Sequence, residues 1–296
     1  MKHIAVIGPG AIGGTVIVRL AQLKKHSIVA CARSAIPQFI LEAPEGKMTA
    51  APEVLTSPQQ ARPVDWVMVA TKTYDAPAAA AWFQNLMGPE TRLAVMQNGV
   101  EHVKRFAPYF PESRIVPVIV DMPVEREAPG FFRQRRTGYL TVPASPQGEE
   151  FVHLFDETGI EVASVSDFQT ALWNKLAINC AGAVSALVLK PAGISRRPDI
   201  AEIMLGLVRE CVAVARAEGA SLEDTVAESV VVRYQKSPPD SINSLHADRI
   251  AGRPAEIDTR NGVIVRLGRK HGIPTPVNQM IVALLEAASM QSPRSH

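Results

Sequence analysis

The sequence predicts an α/β protein in which an N-terminal doubly wound parallel sheet is followed by an all-helical C-terminal domain. Three observations support this fold class. Short apolar runs of strand length alternate with helical segments in the first part of the chain. A glycine-rich run comes directly after the first of these strands, and after Phe168 the pattern is almost entirely helical.

The first elements have clear boundaries. Residues 3–7 form a short apolar run that ends at Gly8, which is typical of a buried parallel strand. In residues 11–24 the apolar side chains recur with helical spacing on one face. Further strands are predicted over 27–32, 66–70 and 93–96, with a helix over 75–86.

The pattern changes near residue 115. Strands over 114–120 and 130–142 suit the far edge of the same sheet. Pro254 and Gly272 have the positions of helix start and stop signals around the last predicted helix. We therefore expect an α/β domain over 1–165 and a helical domain over 166–296, with helices over 171–189, 200–217, 222–234 and 255–271.

The composition excludes several classes of protein. The chain has 296 residues, 47% of them hydrophobic and 20% charged, which is a globular balance with room for two domains. The net charge, 31 − 29 = +2, gives no electrostatic reason to expect a nucleic acid or a membrane as partner. No apolar run is expected to reach the roughly 18–20 residues that span a bilayer. Because no CxxC pair occurs, we expect neither a metal site nor disulfides but reduced thiols in a cytoplasmic protein, at Cys31, Cys180 and Cys211.

The glycine-rich run predicts a dinucleotide site. It follows a strand and opens a helix, as the GxGxxG fingerprint of a Rossmann-type domain requires. Its glycines permit a tight turn, close approach to a pyrophosphate and close packing of helix on strand. The alternative is a glycine-rich turn without a ligand. The predicted contacts of the cofactor are Gly8, Pro9, Gly10, Ala11, Ile12 and Gly13.

Three further residues follow predicted strands. Arg33 stands where NAD-specific sites carry a carboxylate, and a guanidinium there can pair with a 2′-phosphate, which favours NADP over NAD. Lys72 and Asn98 follow the next two strands of the predicted sheet, at the edge where ligands collect. The alternatives are a solvated loop arginine, a surface lysine and an Asn-Gly turn.

A polar pair lies on the first predicted helix of the C-terminal domain. Lys175 and Asn179 are four residues apart, so they share a face of an otherwise apolar helix. Such a lysine either extends its ammonium group to solvent or serves a function. Because buried polar groups need partners, a ligand could supply them.

Five segments together resemble the ketopantoate reductase family. They occur in the family's order and extend over nearly the whole chain. The resemblance implies an NADP-binding Rossmann domain, a helical substrate domain and an active site between them. It implies the NADPH-dependent reduction of a 2-keto acid, 2-dehydropantoate above all. The segments are GPGAIGG (8–14), TKTYDA (71–76), MQNGVEH (96–102), WNKLAINC (173–180) and AGRPAEIDTRNGVIVRLGRKHGIPTPVN (251–278).

The resemblance also implies roles for individual residues. Lys175 resembles the general acid, and Glu256 resembles the acidic residue that meets the cofactor and the substrate hydroxyl. Asn98 resembles the asparagine shared by cofactor and active site. An alternative for Glu256 is a carboxylate in the first turn of a helix. Residues that resemble substrate contacts are Asn179 and Ser244, the latter closing a loop that begins at Ser241.

The match departs from the family pattern at two places. No asparagine follows Asn179 in the stretch that contains Ala183, and Ala192 stands where a substrate-contacting asparagine can occur. Because lost amides change which substrate a site prefers, another 2-keto acid or an opine-type substrate stays open beside ketopantoate. A non-catalytic NADPH-binding sensor and a homodimer also stay open.

Overall fold

A computed structural model describes residues 1–289 and divides into two compact units, the first Met1–Phe168 and the second beginning at Gln169. The predicted boundary lies between residues 165 and 166. In the first unit the strands are β1 (His3–Ile7), β2 (Ser27–Cys31), β3 (Phe39–Ala43), β4 (Gly46–Ala50), β5 (Glu53–Leu55), β6 (Val64–Val69), β7 (Met87–Val95), β8 (Ile115–Pro117), β9 (Ile119–Asp121), β10 (Val124–Ala128), β11 (Phe131–Gln134), β12 (Gly138–Pro143) and β13 (Ile160–Val165). Its helices are α1 (Ala11–Gln22), α2 (Ala76–Ala80), α3 (Phe83–Leu86), α4 (His102–Phe106) and α5 (Pro146–Leu154).

The central sheet is parallel throughout and has the order β5-β2-β1-β6-β7-β8. This is the doubly wound arrangement that the sequence predicts, and it confirms the fold class. The strand order reverses between β1 and β6, where Ile7 pairs with both Cys31 and Val69. In sheets of this kind ligands bind beyond the carboxyl ends of the strands at that reversal.

The apolar core lies on both faces of the central sheet. Ile4 and Val6 belong to one buried cluster, whereas Ala5 and Ile7 belong to another. Because successive side chains of a strand point to opposite faces, both faces of β1 must be apolar. This explains why the first strand appears in the sequence as a continuous apolar run rather than an alternating one.

Two smaller sheets lie outside the predicted pattern. The hairpin β3–β4 and the pair β10–β11 form a four-stranded sheet with the order β10-β11-β3-β4, which packs against α1. The strands β9, β12 and β13 form a three-stranded sheet. The expectation that 114–120 and 130–142 form the far edge of the central sheet is therefore right only for β8. Pro117 ends β8, since proline cannot donate a further ladder hydrogen bond.

The second unit is helical, as predicted. Helix α6 is followed by α7 after a break at Gly182, and the predicted helix over 255–271 begins at Ile257 with a π-helical turn, Asp258–Gly262. It ends at Gly272, whose φ is +68°. The helices are α6 (Phe168–Ala181), α7 (Ala183–Val188), α8 (Pro198–Ala217), α9 (Val226–Lys236), α10 (Ser244–Ile250), α11 (Val263–His271) and α12 (Pro276–Ser289).

One stretch of this unit has the length and composition of a membrane span. Phe168–Val188 comprises 21 residues, so the expectation that no apolar run reaches that length is wrong here. Its apolar window is 61% buried inside the protein, as in the core helix of a globular domain. The same stretch carries Lys175 and is interrupted at Gly182.

Candidate active site

The glycine-rich loop connects β1 to α1 where the strand order reverses. Gly8 has a φ of +84°, which favours glycine, and a Cβ there would lie 2.6 Å from Thr71 Cγ2. A Cβ on Gly13 would overlap the carbonyl oxygen of Gly8. A Cβ on Gly10, by contrast, would meet no atom of residues 1–289 within 4 Å. Packing therefore requires Gly8 and Gly13, whereas Gly10 leaves open space in front of the backbone, as the approach of a pyrophosphate requires.

The N-terminus of α1 is prepared for an anion. Gly10 is the N-cap residue, and within residues 1–289 no side chain caps the helix or places a carboxylate in its first turn. Pro9 is buried, and Ala11 and Ile12 are half-buried. The helix end therefore presents N–H groups and the positive end of its dipole to a phosphate group.

Arg33 follows the carboxyl end of β2. Its side chain is exposed and, among the described residues, pairs with no carboxylate. The segment 32–38 contains no acidic residue at all. A carboxylate that could hold the ribose hydroxyls of NAD is thus absent from this loop, and a guanidinium that could pair with the 2′-phosphate of NADP is present.

Lys72 and Asn98 lie at the ends of the neighbouring strands β6 and β7, and a buried amide connects them. Gln97 Nε2 donates to Thr71 Oγ1 at 3.0 Å and to the carbonyl oxygen of Lys72 at 3.2 Å. Gly99, with a φ of +99°, turns the chain after Asn98. The structure therefore brings Lys72 and Asn98 to one edge of the sheet, with Gln97 as the connecting residue.

Two side chains of the following segment hold Gln97. Arg105 donates to Gln97 Oε1 at 3.1 Å, and His102 Nε2 lies 2.7 Å from the carbonyl oxygen of Gln97. Burial lowers the pKa of His102 to about 4, with a further contribution from Arg105. The imidazole is therefore neutral near pH 7, and Nε2 must carry the proton that the carbonyl accepts.

In the second unit, α6 presents Lys175 and Asn179 on one face. Both side chains are half-buried, whereas Trp173, Leu176 and Cys180 on the remaining surface are buried. The apolar residues pack the helix into its unit and fix the direction of the polar pair. Lys175 and Asn179 thus share one face of α6, as their spacing predicts.

Four side chains satisfy the last carbonyl groups of α6, where the helix breaks at Gly182. They come from α9, from the segment before α10 and from the π-helical turn, all distant in sequence. They fix the end of the helix that carries Asn179. Tyr234 Oη donates to Ile178 (3.0 Å), Arg260 Nη2 to Asn179 (2.7 Å), Asn261 Nδ2 to Cys180 (3.1 Å) and Asn243 Nδ2 to Gly182 (2.9 Å).

The predicted substrate loop adjoins the position where the family pattern fails. The carbonyl oxygen of Ser241 accepts the N–H of Ala192 at 2.9 Å, and Ser241 Oγ donates to Pro238. Asn243 caps α10 by accepting the N–H of His246, and Ser244 is the exposed first residue of that helix. A side chain longer than alanine at Ala192 would therefore start beside this loop.

Glu256 differs from one expectation. It is only 6% exposed and precedes the helix, which begins at Ile257, so it is not a carboxylate of the first helical turn after Pro254. A negative charge this well buried requires positive partners. Arg260, one π-helical turn further on, interacts electrostatically with it.

Two residues of these sites were not predicted from the sequence. Gln97 precedes Asn98 directly, and its place at the end of a strand was an available signal. Arg260 stands four residues after Glu256, a spacing that normally indicates a solvated ion pair on a regular helix. The π-helical turn instead buries Arg260, and no local sequence pattern predicts such a turn.

The glycine loop, the open space at Gly10 and the exposed arginine after β2 fit NADP. Together with the lysine–asparagine pair, they define the chain as an NADP-dependent oxidoreductase. It belongs to the ketopantoate reductase family. The family model "Ketopantoate reductase PanE/ApbA" matches residues 4–147, and "Ketopantoate reductase PanE/ApbA C terminal" matches residues 167–289.

Relatives of similar length support this assignment. A 2-dehydropantoate 2-reductase from Caulobacter vibrioides is 54% identical over 98% of this chain and 100% of its own length. One from Mycobacterium tuberculosis is 40% identical over 97% of each chain. The crystal structure of a PanE/ApbA family ketopantoate reductase from Ralstonia eutropha JMP134 superposes with a TM-score of 0.89 at 29% identity. It covers 97% of this chain and 98% of its own.

Proposed function

We propose that this protein reduces the ketone of 2-dehydropantoate to the alcohol of pantoate with NADPH. The observation that carries the proposal is the polar pair Lys175 and Asn179 on an otherwise apolar helix, in a chain similar over its full length to 2-dehydropantoate 2-reductases. Pantoate is a building block of pantothenate, so the reaction belongs to pantothenate biosynthesis.

The first unit supplies the cofactor contacts in this proposal. When bound, NADPH supplies the hydride for the ketone carbon. The loop from Gly8 to Gly13, including Pro9, Ala11 and Ile12, holds the pyrophosphate with backbone N–H groups. Arg33 pairs with the 2′-phosphate, and Lys72 and Asn98 contact the remaining part of the cofactor from the adjacent strand ends.

The second unit supplies the proton and the substrate contacts. As the ketone oxygen gains negative charge, the ammonium group of Lys175 stabilises it and then protonates it. Glu256 keeps that ammonium charged and oriented, and it accepts a hydrogen bond from the substrate hydroxyl. Asn179, Ser241 and Ser244 contact the polar groups of the keto acid.

A second candidate is a reductase of another 2-keto acid or of an opine-type imine. The observation that favours it is the alanine at position 192, whose N–H binds Ser241 directly within the proposed substrate loop. A site with fewer amides accepts a less hydroxylated substrate more readily.

A panel of substrates decides between these functions. The purified protein is mixed with NADPH and with 2-keto acids or keto acid–amine pairs, and kcat/KM is measured for each. We expect 2-dehydropantoate to rank first, with pantoate as the product by mass spectrometry. Another keto acid in first place supports the second candidate. NADPH binding without turnover of any substrate would identify a sensor instead.

We also propose a cytoplasmic homodimer formed through the helical unit. Arg249 donates to the carbonyl oxygens of Leu187 and Ala288 and so joins the ends of α7, α10 and α12. Apolar side chains are exposed near these ends, with Leu189 45% and Ile250 62% exposed. Sedimentation equilibrium should give twice the mass of the monomer for the wild-type protein, and the mass of one monomer for Ile250→Glu.

A further inference from the structure

Arg260 is a buried cation that the proposed reaction does not yet use. Its side chain lies in the π-helical turn Asp258–Gly262 and is only 2% exposed. Nη2 donates to the carbonyl oxygen of Asn179 at 2.7 Å. Nε and Nη1 are also buried, and neither has a hydrogen-bond acceptor among the described residues. A guanidinium with unused donors in such a place retains a strong preference for negative charge.

Four charged or titratable groups neighbour Arg260. They are Glu256 on the same segment, Tyr234, Cys180 and Asp248. Asp248 already forms an ion pair with Arg253, with 3.0 Å between Oδ1 and Nε. Burial lowers the pKa of Arg260, and these four neighbours raise it, but a guanidinium stays charged at neutral pH.

The charge count in the proposed site points the same way. Lys175 and Arg260 each carry a positive charge, and Glu256 carries one negative charge. One positive charge is therefore in excess, which matches a substrate with a single carboxylate. Because Arg260 is only 2% exposed, water screens its charge weakly, and the charge acts over a longer distance than it would in water.

If Arg260 only capped a helix, we would expect it to bind carbonyl oxygens as Arg249 does. Arg249 is half-buried, and both terminal nitrogens of its guanidinium donate to carbonyl oxygens. Nη1 donates to Leu187 at 2.8 Å and Nη2 to Ala288 at 3.2 Å. Within the part of the chain that the structure describes, Arg260 uses a single nitrogen in this way. It also binds the turn that carries Asn179, four residues from Lys175. The two arginines therefore form a matched pair for an experiment.

We infer that Arg260 is a specificity-determining and positioning residue: its fixed charge makes the site select keto acids that carry a carboxylate, and its bond to Asn179 holds the turn of α6 beside Lys175. The inference rests on the proposed function.

The test compares a charged and a neutral substrate. 2-Dehydropantoate and its N-methylamide share the ketone and the hydroxyl group but differ by one negative charge. For Arg260→Gln, whose amide can still donate to Asn179, kcat/KM for the acid should fall about tenfold or more, mainly through KM. The amide should be turned over nearly as before. Arg260→Lys should retain the preference for the acid, and the control Arg249→Met should leave the acid-to-amide ratio unchanged.

Each outcome bears on a different claim. If Arg260→Gln lowers turnover of acid and amide by the same factor, Arg260 is only structural and the inference is wrong. If Arg260→Lys loses the ratio as fully as Arg260→Gln, the charge is not the cause. Should Arg260→Gln be unstable by thermal melting, the ratio measured with Arg260→Lys against wild type still decides. Failure of the wild-type protein to reduce either substrate would refute the proposed function, not this inference.

Discussion

The two units of this protein prepare their sites in different ways. In the first, the loop from Gly8 to Gly13 uses backbone atoms of one short segment, and its shape follows from the absence of side chains. In the second, α6 is held by side chains from three distant segments, among them Tyr234, Asn243 and Arg260. A backbone site is local in sequence and so can be predicted from a motif. The side chains that hold the end of α6 are brought there by tertiary packing, and no local motif predicts them.

The largest expected effect is on kcat, and it comes from a substitution in the second unit that leaves NADPH binding by the first unit unchanged. Lys175→Met removes the proton donor and the positive charge at the developing alkoxide, so kcat should fall by about 10²–10⁴. The dissociation constant for NADPH should stay unchanged, because the backbone loop is untouched. Asn174→Ala, at the exposed neighbouring position, is the control. Turnover that survives in Lys175→Met would remove Lys175 from its proposed role.

Two glycine variants sharpen the comparison within the first unit. Gly13→Ala places a methyl group on the carbonyl oxygen of Gly8 and should cost about 1–3 kcal/mol in the free energy of unfolding. Gly10→Ala adds a Cβ that meets open space, so stability should change by less than about 1 kcal/mol, while NADPH binding weakens at least about tenfold. Denaturant unfolding and fluorescence titration measure both quantities. Equal loss of stability in the two variants would contradict this division of roles.

The buried His102, which binds Gln97 next to Asn98, should make the stability of the protein depend on pH. In the folded state the pKa of His102 is about 4, below its ordinary value of 6.5. The unfolded chain therefore takes up the proton first as the pH falls, and stability is lost between these two values. Compared with His102→Gln, whose amide can still donate to Gln97, the wild-type protein should lose about 2 kcal/mol more on going from pH 7 to pH 5. Parallel stability curves for both proteins would refute the burial argument.

The smallest expected effect concerns cofactor choice. Arg33→Ala removes one charge-assisted contact with the 2′-phosphate, so the dissociation constant for NADPH should rise about tenfold. That for NADH should change little, since NADH lacks this phosphate. Isothermal titration with both cofactors gives the two constants, and Arg62→Ala, another arginine of the same unit, is the control. An equal change for both cofactors would place Arg33 outside the 2′-phosphate site.

These regions also show what could be predicted from the sequence. The predicted strand at residues 3–7 matches β1, because the apolar run has the length of a strand and ends at Gly8. The pairing of β11 with β3 could not be predicted, since it joins residues far apart in the chain and depends on Phe132 filling the space beside Gly14. The lysine–asparagine pair followed from helical spacing alone.

The same reasoning explains what was missed in the second unit. A regular helix through Glu256 and Arg260 would place both side chains on one exposed face. The π-helical turn places Arg260 and Asn261 inside instead, where they bind the carbonyl oxygens of Asn179 and Cys180. Those partners lie about eighty positions earlier, so only the folded unit shows why a buried charge is tolerated here.

The central claim is that the ammonium group of Lys175 donates its proton to the ketone oxygen of the substrate. A crystal structure of the protein with NADP⁺ and 2-dehydropantoate tests this most directly, through the distance from Lys175 Nζ to that oxygen. We expect a hydrogen bond of about 3 Å. An Nζ atom that faces bulk water, with another donor on the ketone oxygen, would contradict the claim.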